Sequence, residues 1–282
     1  LEAEKGFNPF KFGVIGSSDN HNATAVGDED DFYGVSGLLD SDGQKRGSLP
    51  LNSTENNSNV YFDRYARFGA AGLAGVWAEE NTRESIYDAM RRKETFGTSG
   101  PRLKVRFFAG YDLPLIDDDE VIAKSYRNGV SMGGNLIAED TQPFTFIAWA
   151  AKDPNSAPLQ RLQIVKGWVD AGEAHERVYD VACADGLEVD SLTHRCPGNG
   201  ANVDLTDCSV SSGVGAAELK TNWEDPEYDS TQHAFYYVRA IENPTCRWST
   251  WDAVRAGISP REDIPATIQE RGWSSPIWIN PK

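Results

Sequence analysis

Asp19 and His21 stand two residues apart in the run Phe12-Gly-Val-Ile-Gly-Ser-Ser-Asp-Asn-His-Asn22. A carboxylate and a neutral imidazole at this spacing can ligate one divalent metal or two neighbouring ones. Phe12 to Ile15 form a short apolar run with β-branched residues, which predicts a buried strand. Gly16-Ser17-Ser18 ends it. The pair then projects from the strand's carboxyl end, where barrels and open α/β folds keep their chemistry. Asn20 and Asn22 interleave with the pair and are candidates for orienting a substrate. The alternative for all four is a turn, in which Asp and Asn satisfy their own backbone and the histidine is incidental. An ion that activates water usually has three or more protein ligands, and the neighbouring sequence supplies only this pair. Eleven residues precede the apolar run, and they read as neither a signal peptide nor a domain start. The expectation is that the chain is part of a longer protein whose upstream portion holds further ligands.

Cys183, Cys196, Cys208 and Cys246 are a second candidate set. His194 lies two residues before Cys196, so a zinc knuckle is one reading. The gaps between successive cysteines do not match common zinc spacings, and no C-x-x-C occurs. Disulfides are the preferred reading. Of the three possible pairings, Cys183–Cys196 would close a polar, glycine-rich loop, and Cys208–Cys246 would tie that region to a strand end. Each bridge should have an S–S distance of about 2.05 Å and a Cα separation of about 4.4–6.8 Å. Bridges would place the protein outside the cytosol, in the periplasm or secreted.

The elements around these residues divide near residue 100. Residues 22–60 are a long polar insertion of the kind that is functional or poorly ordered. Its clusters Asp28-Glu-Asp-Asp31 and Asp40-Ser-Asp-Gly43 could bind calcium, but neither fits the EF-hand loop, and a solvated acidic loop is the preferred reading. Gly69–Trp77 is small and apolar, so it predicts a buried strand or tight turn. A helix follows, opened by a capping box of Asn81 and Glu84. Ile86, Ala89 and Met90 share its apolar face, Arg91 to Lys93 complement its carboxyl end, and Gly97 stops it. Beyond residue 100 the period becomes two: Leu103, Val105 and Phe107 alternate with Lys104 and Arg106. Further strands are expected at 144–150, 161–168, 177–182, 234–241 and 275–279, as in a β-sandwich. Trp149, Trp168, Trp273 and Trp278 read as core or rim aromatics rather than a sugar platform. His175 and His233 read as surface histidines.

Composition excludes several classes. A net charge of −16 argues against a nucleic-acid partner, whose phosphates need basic surface. No apolar stretch is long enough to predict a membrane span. With 39% hydrophobic residues and eight tryptophans, the chain is globular rather than disordered.

Longer stretches carry a resemblance. Phe10-Lys-Phe-Gly-Val-Ile-Gly-Ser-Ser-Asp-Asn-His-Asn-Ala23 resembles the final metal-binding motif of the PHP (polymerase and histidinol phosphatase) superfamily. Residues 74–102 resemble the closing helix and following strand of that barrel. Ala157-Pro-Leu-Gln-Arg-Leu-Gln-Ile-Val-Lys166, Asn243-Pro-Thr-Cys-Arg-Trp-Ser-Thr-Trp-Asp252 and Arg271-Gly-Trp-Ser-Ser-Pro-Ile-Trp278 resemble the carboxyl-terminal half of DUF3604 proteins, a PHP-like family of unassigned activity. The resemblance implies a distorted βα barrel with two or three ions of zinc, manganese or iron that activate water for phosphoester hydrolysis. It assigns Asp19 and His21 to the last ligand motif. The superfamily's upstream His-x-His and its further His and Glu ligands have no counterpart here.

The expected architecture is therefore α/β plus all-β. Residues 1–100 would be the carboxyl-terminal remnant of a PHP-like barrel, and residues 101–282 a β-sandwich-like domain with two disulfides. The expected function is that of the carboxyl-terminal portion of an extracytoplasmic metal-dependent hydrolase, a phosphoesterase acting on a small phosphorylated substrate. The barrel portion has too few strands and helices to close alone. It should pack against the amino-terminal half of the same protein or a partner subunit. The alternative is a non-catalytic binding or structural module in which the sandwich contacts partners.

Overall fold

A computed structural model describes residues 5–21, 23, 27–53, 59–139 and 143–282. Strands β1 (Asn52–Ser53) and β2 (Asn59–Val60) form a short ribbon. Then come β3 (Leu73–Val76), the helix Arg83–Arg91, and β4 (Thr95–Thr98). Next are β5 (Lys104–Gly110), the helix Val121–Asn128, β6 (Val130–Ser131), β7 (Asn135–Ile137) and β8 (Thr145–Ala151). The long strands follow: β9 (Leu159–Asp170), β10 (Glu173–Cys183), β11 (Glu218–Glu224) and β12 (Ala234–Glu242). The chain ends with β13 (Thr245–Cys246), the helix Trp248–Ala256, β14 (Thr267–Ile268), β15 (Arg271–Ser274) and β16 (Ile277–Asn280).

Two sheets carry the molecule. The larger runs β10-β9-β12-β15-β4-β3, with β16 also on β12 and β7 beside β16. The smaller runs β11-β8-β5-β6. Every pairing in them is antiparallel except β16 with β7. The larger sheet does not break at residue 100. Gly272, Trp273 and Ser274 of β15 pair with Thr98, Gly97 and Phe96 of β4.

Side-chain alternation makes one core between the sheets. Val105, Phe107 and Ala109 of β5 and Phe146 and Ala148 of β8 face Leu162 and Ile164 of β9 and Tyr236 and Val238 of β12. Phe107 and Phe146 stack with centroids 5.2 Å apart, and Phe146 reaches Tyr236 at 4.7 Å. The opposite faces of β5 and β8 are covered as well. Phe108 and Ile147 are buried with Val121 of the helix Val121–Asn128. Inside the larger core Lys166 Nζ lies 2.6 Å from Asp225 Oδ2, and Tyr236 Oη donates to the same oxygen at 2.7 Å. Alternation alone does not reveal this pair, because a lysine on an inward position reads as a break in the pattern.

The disulfides form in the expected pairing. Cys183–Cys196 has S–S 2.02 Å and Cα–Cα 5.6 Å, and Cys208–Cys246 has 2.08 Å and 5.6 Å. Cys196, the other member of the zinc-knuckle reading, is held in the bridge to Cys183, and the His194 ring packs edge-on against Tyr179. Each of the five strands expected beyond Gly110 is present within a few residues of its expected bounds.

Three local expectations need correction. The helix is capped by Thr82, whose side chain accepts from the Ser85 amide at 3.3 Å, rather than by Asn81. The shift by one residue follows from two capable caps standing side by side. Gly97 does not stop the helix. The helix ends at Arg91, and Gly97 lies in β4, fully buried and paired with Trp273 and Ala74. The acidic insertion is not simply solvated. Glu29 and Asp40 are buried, and both accept backbone amides: Ala70 and Trp248 for Glu29, Val35 and Ser36 for Asp40. The Trp248 amide opens the helix Trp248–Ala256, so Glu29 satisfies an otherwise orphaned donor there.

Candidate functional site

The segment that carries Asp19 and His21 is extended but joins no strand ladder, and Phe12 and Ile15 are 57% and 54% exposed. The expected buried strand at Phe12–Ile15 is therefore a correction. The segment lies backbone-first on β3 and β4. The Gly16 amide donates to Leu73 O at 3.1 Å, and the Val14 amide donates to Ser275 Oγ at 2.8 Å. Glycines permit the approach. A Cβ on Gly16 would come within 2.4 Å of Leu73 O, and one on Gly97 within 2.6 Å of Gly16 N. With the backbone against the sheet, Phe12 and Ile15 turn outward, while Val14 is half-buried.

At the end of this segment the chain bends sharply. Asp19 sits at φ +50°. The Asn20 amide donates to Ser18 Oγ at 3.1 Å, and the His21 amide donates to Val35 O at 2.8 Å. Both Asp19 and His21 are exposed, and Asn20 is half-buried. Asn22 lies outside the described residues. Among the described residues no group of three or more His, Cys, Asp or Glu is arranged to hold a metal ion. The donor chemistry of Asp19 and His21 suits a transition metal, but these two supply only part of a coordination shell.

A second group of carboxyls is buried. Glu242 and Glu270 are buried where β12 leads into β13 and where β15 begins, and the Glu242 amide donates to Glu270 O at 3.0 Å. Each accepts one hydroxyl, Ser156 for Glu242 and Ser99 for Glu270, and each keeps one buried oxygen without a partner among the described residues. Burial pushes both carboxyls up to about 8. Glu29 is raised in the same direction, again chiefly by burial. Sequence reasoning missed Glu242 and Glu270. The one available signal was a glutamate at the end of an apolar alternation, and such a position is usually solvent-facing.

His175 and His233 are exposed, as expected, and His175 stacks on Trp168 with centroids 5.3 Å apart. Trp149, Trp168, Trp273 and Trp278 are all half-buried, at the rim of the sheets. No helix among the described residues is long and apolar enough to cross a membrane.

Comparison with known proteins gives one match. The family described as "Protein of unknown function (DUF3604)" matches residues 1–281. No curated protein and no solved structure matches the chain. With the match running along nearly its whole length, the chain belongs to the DUF3604 family.

Proposed function

We propose that this chain contributes one part of the metal site of an extracytoplasmic hydrolase that acts on small phosphoesters, with the first hundred residues as the closing portion of a PHP-like barrel. The observation that carries this reading is the backbone at Asp19, a non-glycine residue at φ +50° two positions before an exposed histidine. A left-handed residue costs on the order of 1–2 kcal/mol, and such strain clusters at functional sites. Asp19 and His21 would hold a divalent ion of zinc, manganese or iron. Such an ion, when bound, lowers the pKa of water toward neutrality and offsets charge on the attacked group. Asn20, whose amide is fixed by Ser18, would orient the substrate together with Asn22.

The remaining donors come, in this reading, from the amino-terminal half of the same protein or from a partner subunit. The place for it is the apolar face of Phe7, Phe10, Phe12 and Ile15, each more than half exposed. Large apolar side chains left exposed along one stretch of chain suit an interaction surface. The two disulfides support an oxidising compartment, the periplasm or the exterior.

The test is metal content and turnover in the intact protein purified natively, as wild type and as Asp19→Ala. Phosphomonoesters, phosphodiesters and non-phosphate esters are screened with the metal varied. Bound transition metal in the wild type, lost together with turnover in Asp19→Ala while the sandwich stays folded, supports the reading. Unchanged metal content in Asp19→Ala rejects it.

A further inference from the structure

We infer that a second site, separate from Asp19 and His21, binds a small organic anion in the cleft between residues 66–67 and the segment 263–271. The cleft encloses about 700 Å³, and neither Asp19 nor His21 lines it. This volume is within the range of ligand pockets, roughly 300–1,000 Å³.

The charge lining this cleft is opposite to that of the chain as a whole. The protein has 43 acidic and 27 basic residues. Yet three guanidinium groups, those of Arg67, Arg247 and Arg271, line the cleft beside a single carboxylate, Asp263. That carboxylate is already engaged. Arg261 Nε donates to Asp263 Oδ1 at 2.8 Å and Arg261 Nη2 to Oδ2 at 2.5 Å. Arg247 is fixed in place by donating to Ala66 O at 2.8 Å and Phe68 O at 2.6 Å, and its charge is offset in part by the buried Glu29 carboxyl, so the free positive charge of the cleft rests mainly on Arg67 and Arg271. Arg67 and Arg271 are exposed, and their side chains make no hydrogen bond or ion pair among the described residues. A net positive spot on an otherwise acidic surface is where an anion is drawn. Two unengaged planar forks and one fixed charge suit an oxyanion that accepts in pairs.

The rest of the lining indicates the body of the ligand. Pro244, Ile264, Pro265 and Ile268 supply an apolar wall. Gln160 and Gln269 form a polar floor, with Gln269 Nε2 donating to Gln160 Oε1 at 3.1 Å and to Glu242 O at 2.9 Å. The chemistry is that of a phosphate or carboxylate head group on an apolar body. This assignment does not depend on the hydrolase reading.

Calorimetric titration of the full chain with phenyl phosphate, benzoate and inorganic phosphate tests it. Phenyl phosphate, benzoate or both should bind saturably and more tightly than inorganic phosphate. Whichever binds more tightly identifies the head group. Arg67→Gln with Arg271→Gln should weaken that binding at least about tenfold, as expected for loss of charge-assisted pairs. Asp19→Ala should leave it unchanged. Both arginine side chains are exposed and unengaged, so their replacement leaves the fold intact, which circular dichroism checks. The proposal is overturned if neither organic anion binds saturably, if the double variant binds as the wild type does, if inorganic phosphate binds as tightly as both organic anions, or if Asp19→Ala abolishes binding.

Discussion

The first hundred residues and the rest of the chain are held together by different physics. Among the described residues, Phe96 is the one buried side chain of the main core that comes from the first hundred residues. Of the twenty-one large apolar side chains that stand exposed among the described residues, thirteen do. The amino-terminal portion adds only a small apolar cluster, Phe32 and Val35 on Trp248, and is otherwise fastened by polar clamps. Glu29 joins the Ala70 and Trp248 amides, and Arg247 joins the Ala66 and Phe68 carbonyls. Arg46 pairs with Asp252 at 2.8 Å, and Arg261 reaches Gly47 O and Asp63. Apolar burial is the dominant favourable term in folding, and hydrogen bonds chiefly fix geometry. The sandwich therefore supplies stability from its own side chains. The amino-terminal portion is positioned on it with Phe32 and Val35 buried on Trp248 but with most of its large apolar groups exposed, the arrangement of a surface built to be covered.

The sharpest way to break this comparison is to remove the buried charge from the sandwich. Lys166→Met should leave Asp225 buried with only its hydrogen-bonding neighbours. Removing one partner of a buried pair costs about 3–5 kcal/mol. Urea denaturation should show a loss of that size for the whole chain. A loss below about 1 kcal/mol would mean that Tyr236 and the backbone suffice to stabilise Asp225 and that the pair is no keystone of the sandwich.

A slightly smaller effect is expected from the crosslinks. The Cys208–Cys246 bridge closes a separation of 38 residues and the Cys183–Cys196 bridge one of 13. Loop entropy gives about 4 and about 3 kcal/mol respectively. Cys208→Ser with Cys246→Ser should therefore destabilise more than the corresponding change at Cys183 and Cys196. The reverse order in thermal unfolding would show that native packing, rather than loop length, sets their value.

The third test uses pH. Glu242 and Glu270 have folded pKa values of about 8, raised from an ordinary 4.5. The folded state thus holds these protons more firmly than the unfolded state. The stabilisation is full below pH 4.5 and is lost as pH rises through 8. Between pH 6 and pH 8 each carboxyl should account for about 2 kcal/mol of lost stability, and the two do not simply add because the Glu270 charge raises Glu242. Glu242→Gln keeps an acceptor for Ser156 and should flatten this part of the profile. An equally steep profile in Glu242→Gln and in Glu270→Gln would place the titrating group elsewhere.

What the sequence disclosed follows the same division. Strands β5, β9 and β12 were legible because an inward face against a sheet imposes a period of two, and the cysteine pairing was legible from loop chemistry and spacing. The run Phe12–Ile15 was not. Its apolar composition is that of a strand, but its conformation is set by Gly16 and Gly97, far apart in sequence, that bring two backbones together. β4 was hidden from periodicity, because Thr-Phe-Gly-Thr offers no alternation and its glycine mimics a helix stop, and only the resemblance implied a strand after the helix. The buried Glu29, Asp40, Glu242 and Glu270 were hidden because a carboxylate near a turn normally faces water. The pair Asp19 and His21 was legible as a pair of donors, but its strained backbone and its outward direction were not.

The smallest expected effect bears on that strain. At φ +50° a side chain is disfavoured and glycine is not. Asp19→Ala and Asp19→Gly remove the same carboxylate, so both should lose whatever metal binding the residue confers. They should differ in stability. Glycine relieves the left-handed strain that alanine retains, and the gap should be about 1 kcal/mol in favour of Asp19→Gly, reduced by the greater freedom of glycine in the unfolded chain. Because Asp19 is exposed, neither variant should alter the cooperativity of unfolding. Equal stability of the two would show that the chain relaxes out of the left-handed region at no cost, and Asp19 would then lose the strain that marks it as a functional residue. A measurable gap, with the ion lost from both, would show that the amino-terminal portion retains an aspartate here at the expense of stability, as expected of a residue kept for its carboxylate.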